Sequence, residues 1–141
     1  MTDRFDLGRF VSAQDGGGAY EAALAELRRG RKSSHWMWFV FPQIAGLGRS
    51  PMSRRYAISS LEEARAYLAH PVLGPRLREC AEVVAASGTG GAVELLGGTD
   101  ATKLRSSMTL FGRAAPEEPV FRRVLDRYFG GGEDPETLAR I

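Results

Sequence analysis

The residues with the strongest chemical character crowd into one stretch, Gly30-Arg31-Lys32-Ser33-Ser34-His35-Trp36-Met37-Trp38-Phe39-Val40-Phe41-Pro42-Gln43. Both tryptophans of the chain and two of its seven phenylalanines fall here within six residues. Two cations, two hydroxyls and an imidazole precede the aromatic run, and a carboxamide follows it. A desolvated wall with a few polar groups at its mouth is how small-molecule pockets are built. In such a pocket Arg31 and Lys32 would neutralise an anion, Trp36 and Trp38 would offer planar surfaces, and Gln43 would supply an amide. Met37, Phe39, Val40 and Phe41 read as core. Aromatic side chains bury roughly 150–250 Å² each, so this run must cross the centre of the domain.

A second polar set stands far along the chain. Asp100, Lys103 and Ser107 are spaced i, i+3 and i+7 with Ser106 beside them, while Leu104, Met108 and Phe111 take the opposite helical face. A surface i,i+3 ion pair alone would be worth only tenths of a kcal/mol. With His35, Asp100 is the acid–base candidate. Site residues are therefore expected at His35 and Asp100 for catalysis, and at Arg31, Lys32, Trp36, Trp38, Gln43, Lys103, Ser106 and Ser107 for ligand binding. Thr109, between the two faces, is left open. Both sets place polar groups beside a strongly apolar face, so they are expected to meet and line a common cavity.

Other chemistries lack their residues. Two histidines and one cysteine cannot build the usual four-ligand zinc site, so no metal and no cofactor is expected. Cys80 falls in phase with Leu73, Leu77 and Val84 and reads as core. His70 precedes a proline at a helix end, where capping accounts for it. Gly16-Gly17-Gly18 and Gly88-Thr89-Gly90-Gly91 do not sit in strand-to-helix turns, which removes dinucleotide and P-loop readings. No apolar run approaches membrane-spanning length. The start, Met1 to Asp6, is mixed in charge and does not read as a signal peptide. With a lone cysteine, the expectation is a cytoplasmic protein without a membrane partner.

The net charge is only +2, but it is unevenly spread. Between Glu26 and Glu62 there is no acidic residue, while Arg28, Arg29, Arg31, Lys32, Arg49, Arg54 and Arg55 all lie there. Such an excess steers anions. The leading expectation is binding, with cleavage as an extension, of a nucleotide-like or phosphorylated small molecule in a cationic aromatic pocket. Behind it stand a nucleic-acid-binding module using the basic segment 28–55 and an interaction module for an acidic protein.

Those residues must be positioned by short helices. Leu7, Phe10, Val11 and Gln14 give one stripe, and Tyr20, Ala23, Leu24 and Leu27 a second that stops at Gly30. Ser60-x-x-Glu63 reads as a capping box opening a helix that ends at His70-Pro71. Leu73, Leu77, Cys80 and Val84 form the next, and Val93 to Leu96 a short turn. A helix capped by Thr99 or Asp100 should reach Arg113. Phe121, Val124, Leu125 and Tyr128 form another, and Asp134-Pro135 starts a last turn. Alternation suited to a sheet is absent. At 141 residues and 43% hydrophobic, the chain is expected to be all-α, one compact domain over 1–141 of six to seven short helices, more than half helical and with no sheet beyond a stray bridge.

The block from Gly30 to Gln43, with Ser59-Ser60-Leu61-Glu62-Glu63-Ala64 and Asp100-Ala101-Thr102-Lys103-Leu104-Arg105-Ser106-Ser107-Met108-Thr109-Leu110-Phe111, resembles a bacterial family known as domain of unknown function 1810, whose members are sometimes mislabelled calpastatin-like. The resemblance runs from Phe10 through the Asp134 turn and departs mildly at Ser33, where a basic residue is common. It implies an all-helical single domain, and it implies no reaction.

Overall fold

The computed structural model describes residues 3–141; Met1 and Thr2, the first residues of the mixed-charge start, lie outside them. The described residues are 65% helical. Among the described residues the only β pairing is one parallel bridge between Ile44 and Ile58. Among the described residues no helix is long and apolar enough to cross a membrane.

Among the described residues ten α-helical segments follow one another: α1 Gly8–Asp15, α2 Ala19–Arg28, α3 Met37–Val40, α4 Pro51–Arg55, α5 Leu61–Ala69, α6 Leu73–Ala86, α7 Ala92–Leu96, α8 Gly98–Ala114, α9 Pro119–Phe129 and α10 Pro135–Leu138. The six to seven helices expected from periodicity correspond to the longer ones and the α7 turn. Single-turn α3 and α4 are additions, too short to display a period.

Local chemistry sets the ends. Between α1 and α2, Gly17 and Gly18 adopt φ of 59° and 71°, which L side chains resist, so the turn there needs glycine. Ser60 caps α5 by accepting from the Glu63 amide. The returning half of the expected capping box is displaced by one residue, because the Glu63 carboxylate accepts from the amide and hydroxyl of Ser59 and from Arg9 instead of the Ser60 amide. His70 is extended before Pro71, and its Nδ1 accepts from the amides of Val72 and Leu73 at the start of α6. The α8 boundary differs from expectation. Its N-cap is Gly97, neither Thr99 nor Asp100, and the Asp100 carboxylate is turned to another use.

Helix α8 is the hub, packing against α5, α7, α9 and α10. Its Leu104, Met108, Leu110 and Phe111 are fully buried. A chain of ring contacts crosses the core from Phe39 through Tyr56, Phe10, Tyr67 and Phe111 to Phe121, with centroids 5.1–6.0 Å apart. Helices α5 and α6 meet at Gly74, where a methyl group would lie 2.1 Å from the Leu68 carbonyl oxygen. Leu27, Leu77, Cys80, Val84, Leu104, Phe111, Val124 and Leu125 are buried as the periodicity requires, whereas Leu24 is only half-buried.

Burial pushes the Cys80 thiol up to about 12. Thiolate, not thiol, is the nucleophile. In the native protein Cys80 should therefore react with a thiol reagent only as fast as the domain opens, and denaturant should accelerate the reaction by orders of magnitude. Rapid labelling under native conditions would contradict the packing.

Candidate functional site

The segment joining α2 to α3 is fixed from below by one carboxylate. Glu26 lies on the buried face of α2 with Ala23 and Leu27 and is 5% exposed. It accepts four hydrogen bonds: from the amides of Ser33 and Ser34, the Ser34 hydroxyl and the Trp36 indole N–H. Burial alone would raise its pKa, but the Ser34, Ser33 and Trp36 donors outweigh it and hold the group at about 2. From above, the Lys32 amide donates to the Leu95 carbonyl at 2.7 Å.

The two distant polar sets do meet. Lys32 Nζ lies 2.9 Å from Asp100 Oδ2, with side chains 9% and 18% exposed. Lys103 stands 3.6 Å from Asp100 Oδ1. Each ammonium also lies over an indole: Lys32 is 5.2 Å from the Trp36 ring centre and Lys103 is 5.0 Å from that of Trp38. Two cations, one carboxylate and two tryptophans thus form a single unit where the α2–α3 segment and α3 meet the first two turns of α8.

Beside this unit runs a groove of about 400 Å³, lined by Gln43, Leu47 and Gly48 on one side, Thr99, Thr102, Lys103 and Ser106 of α8 on the other, and Asp134 and Glu136 at α10. Gln43 and Lys103 also line a crevice of about 10 Å³ that Trp38 shares. That is room for about one water molecule.

Of the residues expected at a site, Gln43, Lys103 and Ser106 line the groove, and Trp38 adjoins it across the crevice. Lys32 and Asp100 contact them through the ion pairs. Trp36 and Ser107 are 1% and 0% exposed, so neither indole face nor hydroxyl is offered to a ligand. The Ser107 hydroxyl is buried without a hydrogen-bond partner among the described residues. Arg31 and His35 are exposed, and their side chains form no hydrogen bond or ion pair with the described residues. His35 is not brought to Asp100 by any contact. Thr109 proves structural, donating to the Arg105 carbonyl and accepting from the Asp134 amide.

Over residues 4–141 the chain matches the family described as protein of unknown function DUF1810. It belongs to that family. A solved structure similar to this DUF1810 chain is the crystal structure of the conserved hypothetical protein Rv1873 from Mycobacterium tuberculosis, at 54% identity. The match covers 97% of this chain and 96% of that one, with a TM-score of 0.93. No curated protein matches significantly.

Periodicity and motif spacing do not single out Glu26, Asp134 and Glu136 as site residues. A signal for Glu26 exists, a carboxylate three residues after Ala23 and one before Leu27, inside an apolar stripe. Asp134 is legible only as a cap. It caps α10 by accepting from the Thr137 amide, and it also accepts from the hydroxyls of Ser106 and Thr137.

Two stability measurements check these contacts. A glutamate lowered from 4.5 to about 2 contributes on the order of 3 kcal/mol. Because the folded value is the depressed one, that contribution is present above about pH 5 and is lost as pH falls toward 2. Glu26→Gln should remove it and flatten the acid limb of the stability–pH curve over that window; an unchanged limb would show that the clamp is idle. Removing one partner of a buried pair costs about 3 kcal/mol, while removing both costs less than the sum. Lys32→Met and Asp100→Asn should accordingly be non-additive in urea unfolding, and strict additivity would mean the two clusters are energetically independent.

Proposed function

We propose that this protein binds an anionic small molecule, nucleotide-like or phosphorylated, in the groove between the Gln43–Gly48 loop and the first two turns of α8. The observation that carries the reading is the placement of Lys103. Its ammonium is only loosely paired with Asp100, at 3.6 Å, and lines both the groove and the Trp38 crevice. A ligand oxygen would offer it a shorter partner. The groove falls in the size range of small-molecule sites, and its lining is mainly polar, with Leu47 as its one large apolar residue.

The surroundings support an anion. Arg49 follows Gly48 of the groove and Arg54 follows Ser53 of the crevice, and both are exposed and unpaired among the described residues. With no acid between positions 27 and 61, the Gln43–Gly48 side of the groove is cationic. Lys32 belongs to the support: it is nearly buried and already paired. Both oxygens of Asp100 face ammonium groups, and His35 stands apart, so the reading is binding and not bond cleavage.

A thermal-shift panel of nucleotides, ADP-ribose and sugar phosphates tests this. A ligand at ~100 times its dissociation constant adds about 2.7 kcal/mol. At least one member should raise Tm by several degrees in the native protein and not in Lys103→Met. A panel without effect at millimolar concentration, or a shift that survives in Lys103→Met, would sink the reading. Single-stranded oligonucleotides and an acidic peptide in the same panel address the exposed arginines Arg31, Arg49 and Arg54. A response to those alone would move function from the groove to that surface.

A further inference from the structure

The groove is bipolar. One end holds the Lys103 ammonium, at the level of Asp100; the other holds Asp134, at the level of Ser106, with Glu136 two residues on. Between these levels the lining offers the Thr102 hydroxyl, with the Gln43 amide on the facing side; Thr99 lies beyond the Lys103 end. From Asp100 to Ser106, beside which Asp134 stands at 3.0 Å, α8 rises about 9 Å at ~1.5 Å per residue.

Each end restricts the occupant. A bare dianion satisfied at Lys103 would leave two carboxylates facing it across the groove. A simple cation would meet the reverse conflict. A neutral apolar molecule would bury charged and hydroxyl groups without partners, which costs about 1–3 kcal/mol for each. The occupant that satisfies every wall carries negative charge at one end, hydrogen-bond donors at the other, and hydroxyls between. The acceptor end is also pre-organised. The Ser106 hydroxyl, the Thr137 amide and the Thr137 hydroxyl all converge on Oδ2 of Asp134, fixing the plane of its carboxylate. Glu136 is held at 3.1 Å by Arg140, two residues beyond the end of α10.

We infer that the ligand is a sugar phosphate, free or as part of a nucleotide, lying along α8 with its phosphate at Lys103 and a pair of sugar hydroxyls at Asp134 and Glu136. This rests on the anion-binding reading of the same groove and adds the hydroxyl-recognising end. A site built to bond hydroxyls rejects the analogue that lacks them, because its own polar groups are then left unpaired.

The experiment is calorimetric titration of the full chain with ribose 5-phosphate, inorganic phosphate, ribose and γ-aminobutyrate as a zwitterion. It is repeated on Lys103→Met and on Glu136→Gln, the latter an exposed position whose change should leave the Tm of the free protein unaltered. Ribose 5-phosphate should bind at least about tenfold more tightly than inorganic phosphate or ribose. Lys103→Met should abolish that binding. Glu136→Gln should weaken ribose 5-phosphate several-fold and leave inorganic phosphate unchanged. If inorganic phosphate binds as tightly as ribose 5-phosphate and still depends on Lys103, the sugar assignment is overturned and the anion groove stands. The sugar assignment also falls, with the groove left standing, if Glu136→Gln has no effect on ribose 5-phosphate. Preference for the zwitterion overturns the assignment outright. Absence of any Lys103-dependent anion binding overturns both.

Discussion

Glu26 holds the rest of this molecule's distinctive geometry in place. Its carboxylate collects two backbone amides, a hydroxyl and an indole N–H from the four residues Ser33 to Trp36. Those donors leave water as the chain turns inward, and a buried donor without a partner costs about 1–3 kcal/mol. One acceptor group satisfies them all. With Trp36 pinned by its ring nitrogen, α3 begins at a defined point, Met37, Phe39, Val40 and Phe41 enter the core, and Trp38 comes to lie under Lys103.

A second carboxylate resolves the charge imbalance of the sequence. A stretch with cations and no acids cannot be folded inward unless carboxylates reach it from elsewhere. Asp100 supplies one from α8 and pairs with Lys32, while Glu26, from the preceding helix, meets the segment's neutral donors. Lys32 can thus lie nearly buried on an indole face. Arg31, Arg49 and Arg54 receive no such partner among the described residues and stay at the surface. The basic segment is therefore two things: a neutralised inner part and a cationic outer rim.

What could be read from the sequence follows from which interactions are local. The helices α2, α5, α6, α8 and α9 announce themselves through stripes at 3.6-residue spacing, and Ser60, His70 and Asp134 through caps. Misjudged positions are those where a distant group intervenes. Leu24 fits the α2 stripe, yet the inward position is shared with Glu26, because the α2–α3 segment needs an acceptor there. Asp100 fits an N-cap, yet Lys32 draws its carboxylate away and leaves capping to the backbone of Gly97. Helix α4 carries a Ser50-Pro51 start signal but is too short to show a period. The meeting of Lys32 with Asp100 could be anticipated from two polar sets beside apolar faces, though which members would turn outward could not. Trp36 and Ser107 go inward; Asp134 and Glu136, from the far end of the chain, complete the groove.

The four residues of α3 are too few to be helical on their own, since the first hydrogen-bonded turn is unfavourable before any propagation repays it. The anchors above the segment that leads into it, Leu95 and Asp100, lie more than sixty positions later. Closing so long a span carries an entropic cost that only the finished α7–α8 corner can offset. The chain's most unusual segment therefore leaves the ribosome with its lower anchor, Glu26, and can gain its upper two only once the start of α8 has been made.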